Sequence, residues 1–383
     1  MLKQAADKIS IQPVSLGNKA DVRRFIRVPW SIYANDPLWV PPLVLERQQH
    51  LSPRNPYFQH ARLKAWVAVR NGEAVGRIST QIDALHQARY EDATGFFGLL
   101  EAIDDAAVFA ALVDTAAKWL HEQGMSRIRG PFSLSINDES GLLVEGFETP
   151  PYIMMSHAPP YYAPRLEELG FEKAKDLLAY VIHPTYETPK VVTNLMRRAN
   201  KRIRVRPLER SRFQEELQTL QNIFEDAWSE NWGFIPFTAE EFAEVGKNLK
   251  LLVHEELVQI AEVDGVPAAM MVTFPNVNEA IRDLNGSLLP LGWLKLLWRL
   301  KVTGVKTGRI ALMGVRKQYQ NSLLGSALAF SVIEATRPPV IQRGMREVEM
   351  SWILEDNNGM RRILETIGAR VSKRYRIYEK SVS

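Results

Sequence analysis

The stretch Arg309–Ala335, RIALMGVRKQYQNSLLGSALAFSVIEA, decides the fold. An apolar run ends near Val315, a polar turn follows, and from Leu323 apolar residues recur at helical spacing. A strand that enters a helix through such a turn leaves the first backbone N–H groups and the positive end of the helix dipole facing outward. That arrangement is a ready seat for phosphate groups.

Reading downstream, Glu347–Leu354 has strand character, Asn358–Ile367 is a helix stopped by Gly368, and Tyr375–Glu379 is a closing strand. Upstream, Leu257–Val263 and Pro267–Phe274 form a hairpin over Asp264-Gly265, after a strand Ile203–Pro207 and a helix Phe213–Trp228. The same order occurs earlier in the chain. It runs through a strand at 11–14, a helix Ala20–Tyr33, a hairpin over Asn71-Gly72, a strand Thr94–Leu100 and a helix Ala106–Gln123. A strand opening at Ser126, a short helix Tyr161–Leu169 and a strand pair within Phe171–Ile182 complete it. The recurrence implies a duplicated α/β domain with mixed central sheets flanked by helices. The expected domains are 1–184 and 203–383, joined by a basic linker at 185–202. That linker reads either as a solvated connector or as a surface for anionic lipid head groups.

The composition supports two folded domains: 383 residues, 46% hydrophobic and 24% charged. The absence of cysteine excludes disulfides, cysteine-ligated zinc and thiol nucleophiles, and no metal site is expected. A net charge of +4 admits an anionic partner without selecting one. The basic residues form no array interleaved with aromatics, so no nucleic-acid role is expected. MLKQAADKISIQPV lacks the apolar core of a signal peptide, and no run reaches the roughly 18 apolar residues of a spanning helix. Cytoplasmic residence is the expectation.

The turn GVRKQYQNSLLGSALA resembles the acyl-CoA pyrophosphate loop of the GNAT superfamily, whose pattern is Gln/Arg-x-x-Gly-x-Gly/Ala. Gln320 matches the first place and Gly325 the last, while Leu323 stands where glycine is usual. By this resemblance Leu312 and Val315 on the strand, the loop Gln320, Asn321, Ser322, Leu323, Leu324, Gly325 and Ser326, and Asn357 would meet acyl-CoA. Acyl-CoA would be the donor substrate, with no tightly bound cofactor. Asn357 also suits a plain helix cap. Leu364 occupies the place where the superfamily usually has a tyrosine that protonates the departing thiolate. Tyr375 and Tyr378 are the candidate substitutes, and core packing explains either equally. The N-terminal half has no such loop, and its Asp104–Asp105 pair would repel a pyrophosphate. Its distinctive polar residues are Asn137, Asp138, Glu139, His157, Tyr161 and Tyr162, for which ordinary turn chemistry is the alternative reading.

N-acylation needs a neutral amine and a route for one proton. Glu347, Glu349 and Ser351 share a strand face by alternation, and Glu349, in mid-strand, is the candidate base. The alternative is a structural ion pair to Arg374 or Arg376. The segment Gly286–Arg309 places Leu294, Leu297, Trp298 and Lys301 on one helical face, with Lys295 and Arg299 opposite. It suits either a membrane interface or a buried core.

Over its whole length the chain is similar to a bacterial family of tandem GNAT-like proteins, through NPYFQHA, AVGRI, GPFSLSINDESGLLVEGF, PPYY, ENWGF and SWILEDN. Members include bacterial ceramide synthases. The resemblance implies an acyl-CoA-dependent N-acyltransferase acting on an amine, with a sphingoid base as one acceptor, and the apolar segment 286–309 adds a peripheral place on the inner membrane face as an expectation. A Fem-like aminoacyl transferase and a non-catalytic acyl-CoA sensor are the alternatives.

Overall fold

The computed structural model describes residues 8–382, so residues 1–7 of the N-terminal reading lie outside it. The chain forms two compact units, each assembled from separate stretches. The first comprises residues up to Asp176 with Ile281–Trp293 and Arg374 onward, and the second comprises Leu177–Ala280 with Leu294–Lys373. The expected contiguous domains 1–184 and 203–383 therefore differ from the units observed.

In the first unit β1 (Ser10–Pro13), β2 (Ala61–Arg70), β3 (Glu73–Asp83) and β4 (Thr94–Ala102) form an antiparallel run. β5 (Arg127–Gly130) joins parallel to β4, and β6 (Leu142–Glu145) follows in the chain. In the second unit the residues of β7 (Glu172–Ile182) from Leu177 onward belong to a sheet with β8 (Ile203–Pro207), β9 (Val258–Val263) and β10 (Val266–Pro275). β11 (Thr307–Val315) and β12 (Glu347–Leu354) complete it, in the order β7-β12-β11-β10-β9-β8. β13 (Arg370–Ser381) closes the first unit, where its residues from Arg374 onward pair β5 and β6.

Three sequence expectations change. Phe171–Ile182 is one continuous strand rather than a pair. The linker is largely a helix, Lys190–Ala199, with Val192 buried. Its approach is tied down by Arg337, whose guanidinium donates to the carbonyl of Pro184 (2.9 Å) and to the Thr188 hydroxyl (2.6 Å) and lies 3.9 Å over the Tyr186 ring. A helix Ala239–Leu252, opened by a Thr238/Glu241 capping box, was also missed. In addition, the helix that starts at Leu323 continues through Pro338 and Pro339 to Gln342.

Within the first unit Asp176 is buried and accepts from Arg376 (2.8 Å) and Arg374 (3.2 Å), with Lys173 also 3.2 Å away. Arg374 and Arg376, the ion-pair partners of the alternative reading for Glu349, thus bond Asp176. Hydrogen bonds from Arg376 and Lys173 hold the Asp176 carboxyl below the ordinary carboxylate range despite its burial. Its stabilising contribution is present above the unfolded carboxylate pKa and is lost as pH falls through the lower folded value. Asp176→Asn should cost about 1–3 kcal/mol at neutral pH, less than a fully buried pair because the arginines stay partly solvated. Denaturant unfolding at pH 7 and in acid checks this, with wild type and variant converging in acid.

Candidate functional site

β11 and β12 run parallel and pair from Thr307–Glu347 to Ile310–Met350. Both strands continue, β11 to Val315 and β12 to Leu354, but no pairing between them follows. Beyond Ile310, β11 keeps β10 on its other side and β12 keeps β7. One backbone edge of each strand is therefore left without a strand partner among the described residues, and Leu312–Val315 lies on such an edge. Backbone N–H groups on an open edge can meet a carbonyl oxygen.

Directly after β11 the chain makes a turn at Lys317–Tyr319 and enters the helix Leu323–Gln342. Ser322 caps this helix, its Oγ accepting from the Gly325 N–H at 3.0 Å. Asn321 takes a positive φ of 58°, and the Gln320 amide donates to the Val315 carbonyl at 2.7 Å. The turn is thus held by its own side chains, and the Lys317 N–H donates to Asp226 at 2.7 Å. Gly325 has a steric reason: a Cβ there would lie 2.0 Å from the Tyr319 carbonyl oxygen. Leu323, where glycine is usual, points into the open with 77% exposure, so its side chain does not obstruct the turn. Leu324 is half-buried and Ser326 donates back to the Ser322 carbonyl.

Glu349 sits on β12 opposite Arg309 of β11 and Val181 of β7. It is fully buried, with Ser351 and Arg309 nearly so and Lys373 likewise buried. Ser351 Oγ donates to Glu349 Oε1 at 2.6 Å and accepts from Arg309 Nε at 2.8 Å. Among the described residues Glu349 Oε2 has no hydrogen-bond partner. Burial raises the Glu349 carboxyl above its ordinary value, against the opposing pull of Ser351, Arg309 and Lys373. The alternative weighed for Glu349, an ion pair with Arg374 or Arg376, is not what surrounds it: its neighbours are Ser351, Arg309 and Lys373.

Asn357 is occupied as a cap, accepting from the Met360 N–H at 3.1 Å. Leu364 is fully buried. Tyr375 and Tyr378 are buried in the first unit, and the Tyr378 hydroxyl donates to Glu167 at 2.8 Å. The loop and Glu349 belong to the second unit. The cluster around Glu349 was missed in part, because Arg309 and Lys373 are distant in sequence and only strand register brings Arg309 opposite the glutamate.

The first unit has the corresponding parallel pair, β4 with β5, ending at Phe96–Arg129. There the gap is filled: the Phe132 N–H donates to the Phe97 carbonyl at 2.8 Å, and a Cβ on Gly98 would lie 1.7 Å from the Phe132 oxygen. Asp105 caps the helix Ala106–Glu122 and bonds Arg70, while Asp104 pairs with Arg165. Asp138 accepts from Ser135 and contacts His50, Glu139 pairs with Arg47, and His157 bonds Asp36 at 2.7 Å. The Tyr161 and Tyr162 hydroxyls donate to the Ala102 carbonyl and to Glu101, and Asn137 bonds Ser135. These distinctive residues hold the first unit's loops together. Among the described residues no group of acids and histidines could hold a metal, and no helix is long and apolar enough to cross a membrane.

The middle of the segment expected to be either core or interface, from Leu289 to Val302, presents most of its large apolar side chains to solvent. Leu294, Leu297, Trp298 and Val302 are exposed in and after the helix Gly292–Trp298, as are Leu289, Leu291 and Trp293 before or within it. The buried-core alternative is thereby overturned. The Arg299 guanidinium donates to the Ala280 carbonyl at 2.7 Å.

No family model matches the chain. It is 53% identical over 366 residues to Protein YghO of Escherichia coli strain K12, covering 95% of this chain and 94% of that one. It is 46% identical over 377 residues to the bacterial ceramide synthase of Caulobacter vibrioides, covering 98% of each. A tandem GNAT protein from the clavulanic acid biosynthesis pathway shares the fold with a TM-score of 0.57 at 12% identity, covering 98% of this chain and 99% of that one.

Gly325→Ala should fold but push the Tyr319–Ser322 turn out of place, costing about 1–3 kcal/mol as overpacking does. Thermal unfolding, with hydrogen exchange over residues 319–326, reads both effects.

Proposed function

The chain belongs to the tandem GNAT acyltransferase family that includes the Caulobacter bacterial ceramide synthase, and on that premise we propose that it transfers a fatty acyl group from acyl-CoA to the amine of a long-chain acceptor such as a sphingoid base. The observation that carries the proposal is the ladder left open beyond Ile310–Met350, next to a Ser322-capped helix start in the second unit. The donor's pyrophosphate sits on the turn Gln320–Ser326, and Asn357 lies near the pantetheine arm. The thioester carbonyl meets the backbone of Leu312–Val315, where N–H groups stabilise the oxyanion of the tetrahedral intermediate. The first unit takes no donor, because its equivalent gap is filled by Phe132 and its helix start by Asp105.

The neutral amine attacks the thioester carbon, and the C–S bond then breaks to give an amide and a thiolate. Glu349 takes the ammonium proton. The proton passes through the Ser351 hydroxyl, which is bonded to Glu349 and buried with it. A raised carboxyl pKa makes the glutamate a stronger base once it is ionised. No side chain need protonate the leaving group, because a thiol pKa of about 8.5 makes thiolate a tolerable leaving group. This accounts for Leu364, and it leaves Tyr375 and Tyr378 with packing roles.

The lipid acceptor and a peripheral place on the inner membrane face are supported by the exposed apolar segment around Trp293–Val302, with Lys295 and Lys301 beside it. Apolar residues of this kind immerse in the interface while lysines meet anionic head groups.

With a long-chain acyl-CoA and a sphingoid base, amide product and free CoA should form together. Glu349→Gln should lower kcat/KM by roughly 10²–10⁴-fold with CoA affinity nearly unchanged. If circular dichroism shows the variant unfolded, the buried cluster is structural instead. Trp293→Ser with Trp298→Ser should leave thermal stability unchanged, because both rings are exposed. The double variant should also lose sedimentation with anionic liposomes, and the wild-type binding should weaken with salt. Equal liposome binding by both proteins would remove the membrane reading.

A further inference from the structure

The acyl-transfer reading uses Glu349 and Ser351 and leaves the buried Arg309 without a role. Ser351 is the first residue of β12 beyond its last pair with β11, Ile310–Met350. On the other side, the pairing of β12 with β7 passes from Met350–Tyr180 to Ile353–Leu178, so Ser351 and Trp352 are skipped there as well. Strand pairing therefore fixes Ser351 on neither side, as at other bulges. Arg309 holds it instead. Its Nε donates to Ser351 Oγ at 2.8 Å and its Nη2 to the Ser351 carbonyl at 3.1 Å, so one planar fork grips the side chain and the main chain of the same residue.

These bonds set the direction of the hydroxyl. An arginine N–H can only donate, so Ser351 Oγ accepts from Arg309. The Ser351 proton is left for Glu349 Oε1, at 2.6 Å. A hydroxyl oxygen has two acceptor sites. Arg309 fills one, and the other has no partner among the described residues. The architecture does not require such a cluster. At the third pair of its parallel ladder the first unit has Phe96 opposite Arg129, where the second unit has Arg309 opposite Glu349. Arg129 bonds Glu379 at 2.7 Å, and Phe96 packs edge-on against Phe132. Of the two ladders, the one that stays open is the one with the buried arginine, serine and glutamate.

We propose that Arg309 is a positioning residue that makes Ser351 a one-way proton relay, the second acceptor site of its hydroxyl receiving the ammonium proton. The inference rests on the acyl-transfer reading above. An N–H bond of the ammonium formed on attack breaks as a bond to Ser351 Oγ forms, and the Ser351 O–H bond breaks as one to Glu349 Oε1 forms. The nitrogen loses its charge, Ser351 ends neutral and Glu349 ends protonated. Arg309 holds Ser351 rather than either substrate, so its contribution belongs in kcat, with both KM values untouched.

The test uses the full chain with palmitoyl-CoA and one sphingoid base. Arg309→Lys keeps the positive charge but loses the fork. It should lower kcat about 10–100-fold, the scale of a misplaced reacting group, with both KM values within about twofold of wild type. Ser351→Ala should lower kcat by roughly 10²-fold or more. In that background Arg309→Lys should cost less than about twofold further, because the two residues act as a unit. Equal losses in both backgrounds would make Arg309 a packing or charge residue and overturn the inference. A second measurement needs no variant: single-turnover rates of wild type in mixtures of light and heavy water. Two protons moving together give a curved dependence on the deuterium fraction, and a straight line would overturn the relay even if Arg309→Lys does not fold. Wild-type turnover that falls in Glu349→Gln but not in Arg309→Lys would overturn this inference and keep the acyl-transfer reading. No turnover by wild type would remove both.

Discussion

The second unit depends on a parallel ladder that stops. From Thr307–Glu347 to Ile310–Met350 the two strands share hydrogen bonds, and after that each keeps only its outer neighbour. Unpaired backbone is costly when buried, so such a gap persists only where something else supplies partners. The two units resolve this constraint in opposite ways. In the first, the main chain of Phe132 enters the gap, held by the Phe97 carbonyl and by the Gln81 amide at 2.9 Å. In the second, no strand pairs across it among the described residues, and the helix start beside it is capped by a neutral serine rather than by a carboxylate. One duplicated architecture thus yields one closed and one open version of the same feature, and only the open version has electrostatics suited to an anionic ligand.

Much of this was legible in the sequence because the signals are local. The hairpins over Asn71-Gly72 and Asp264-Gly265 have both turn chemistry and alternating apolar residues, and both appear in the structure. The helix start at Leu323 follows from the polar turn and the apolar spacing. The helix Lys190–Ala199 is strongly amphipathic, yet its Lys and Arg residues make the stretch read as a basic connector. The strand Glu172–Ile182 looked like a pair because its first residues are exposed and its last are buried.

The candidate site was legible only as far as sequence neighbours go. The loop Gln320–Ser326 could be found from spacing. The surroundings of Glu349 could not, because Arg309 and Lys373 lie 40 and 24 positions away in the chain and reach the glutamate only through tertiary structure. The reason for Gly325 was also out of reach. The family pattern attributes the glycine to phosphate approach, whereas the backbone shows the Tyr319 carbonyl occupying the space of a side chain. Both constraints act at that position, and neither excludes the other.

The interleaving of the two units bears on how the polypeptide comes off the ribosome. The first unit includes residues from Arg374 onward, whose strand pairs β5 and β6. The nascent N-terminal sheet therefore stays incomplete, with β5 presenting a bare edge, until Arg374–Ser381 has been translated. Exposed edges invite mispairing with other chains. Splitting the gene near residue 190 would leave the N-terminal fragment without that closing strand and the C-terminal fragment without residues 177–182 of its sheet. The repeat is duplicated in pattern, but a cut between the halves would not fall between the units.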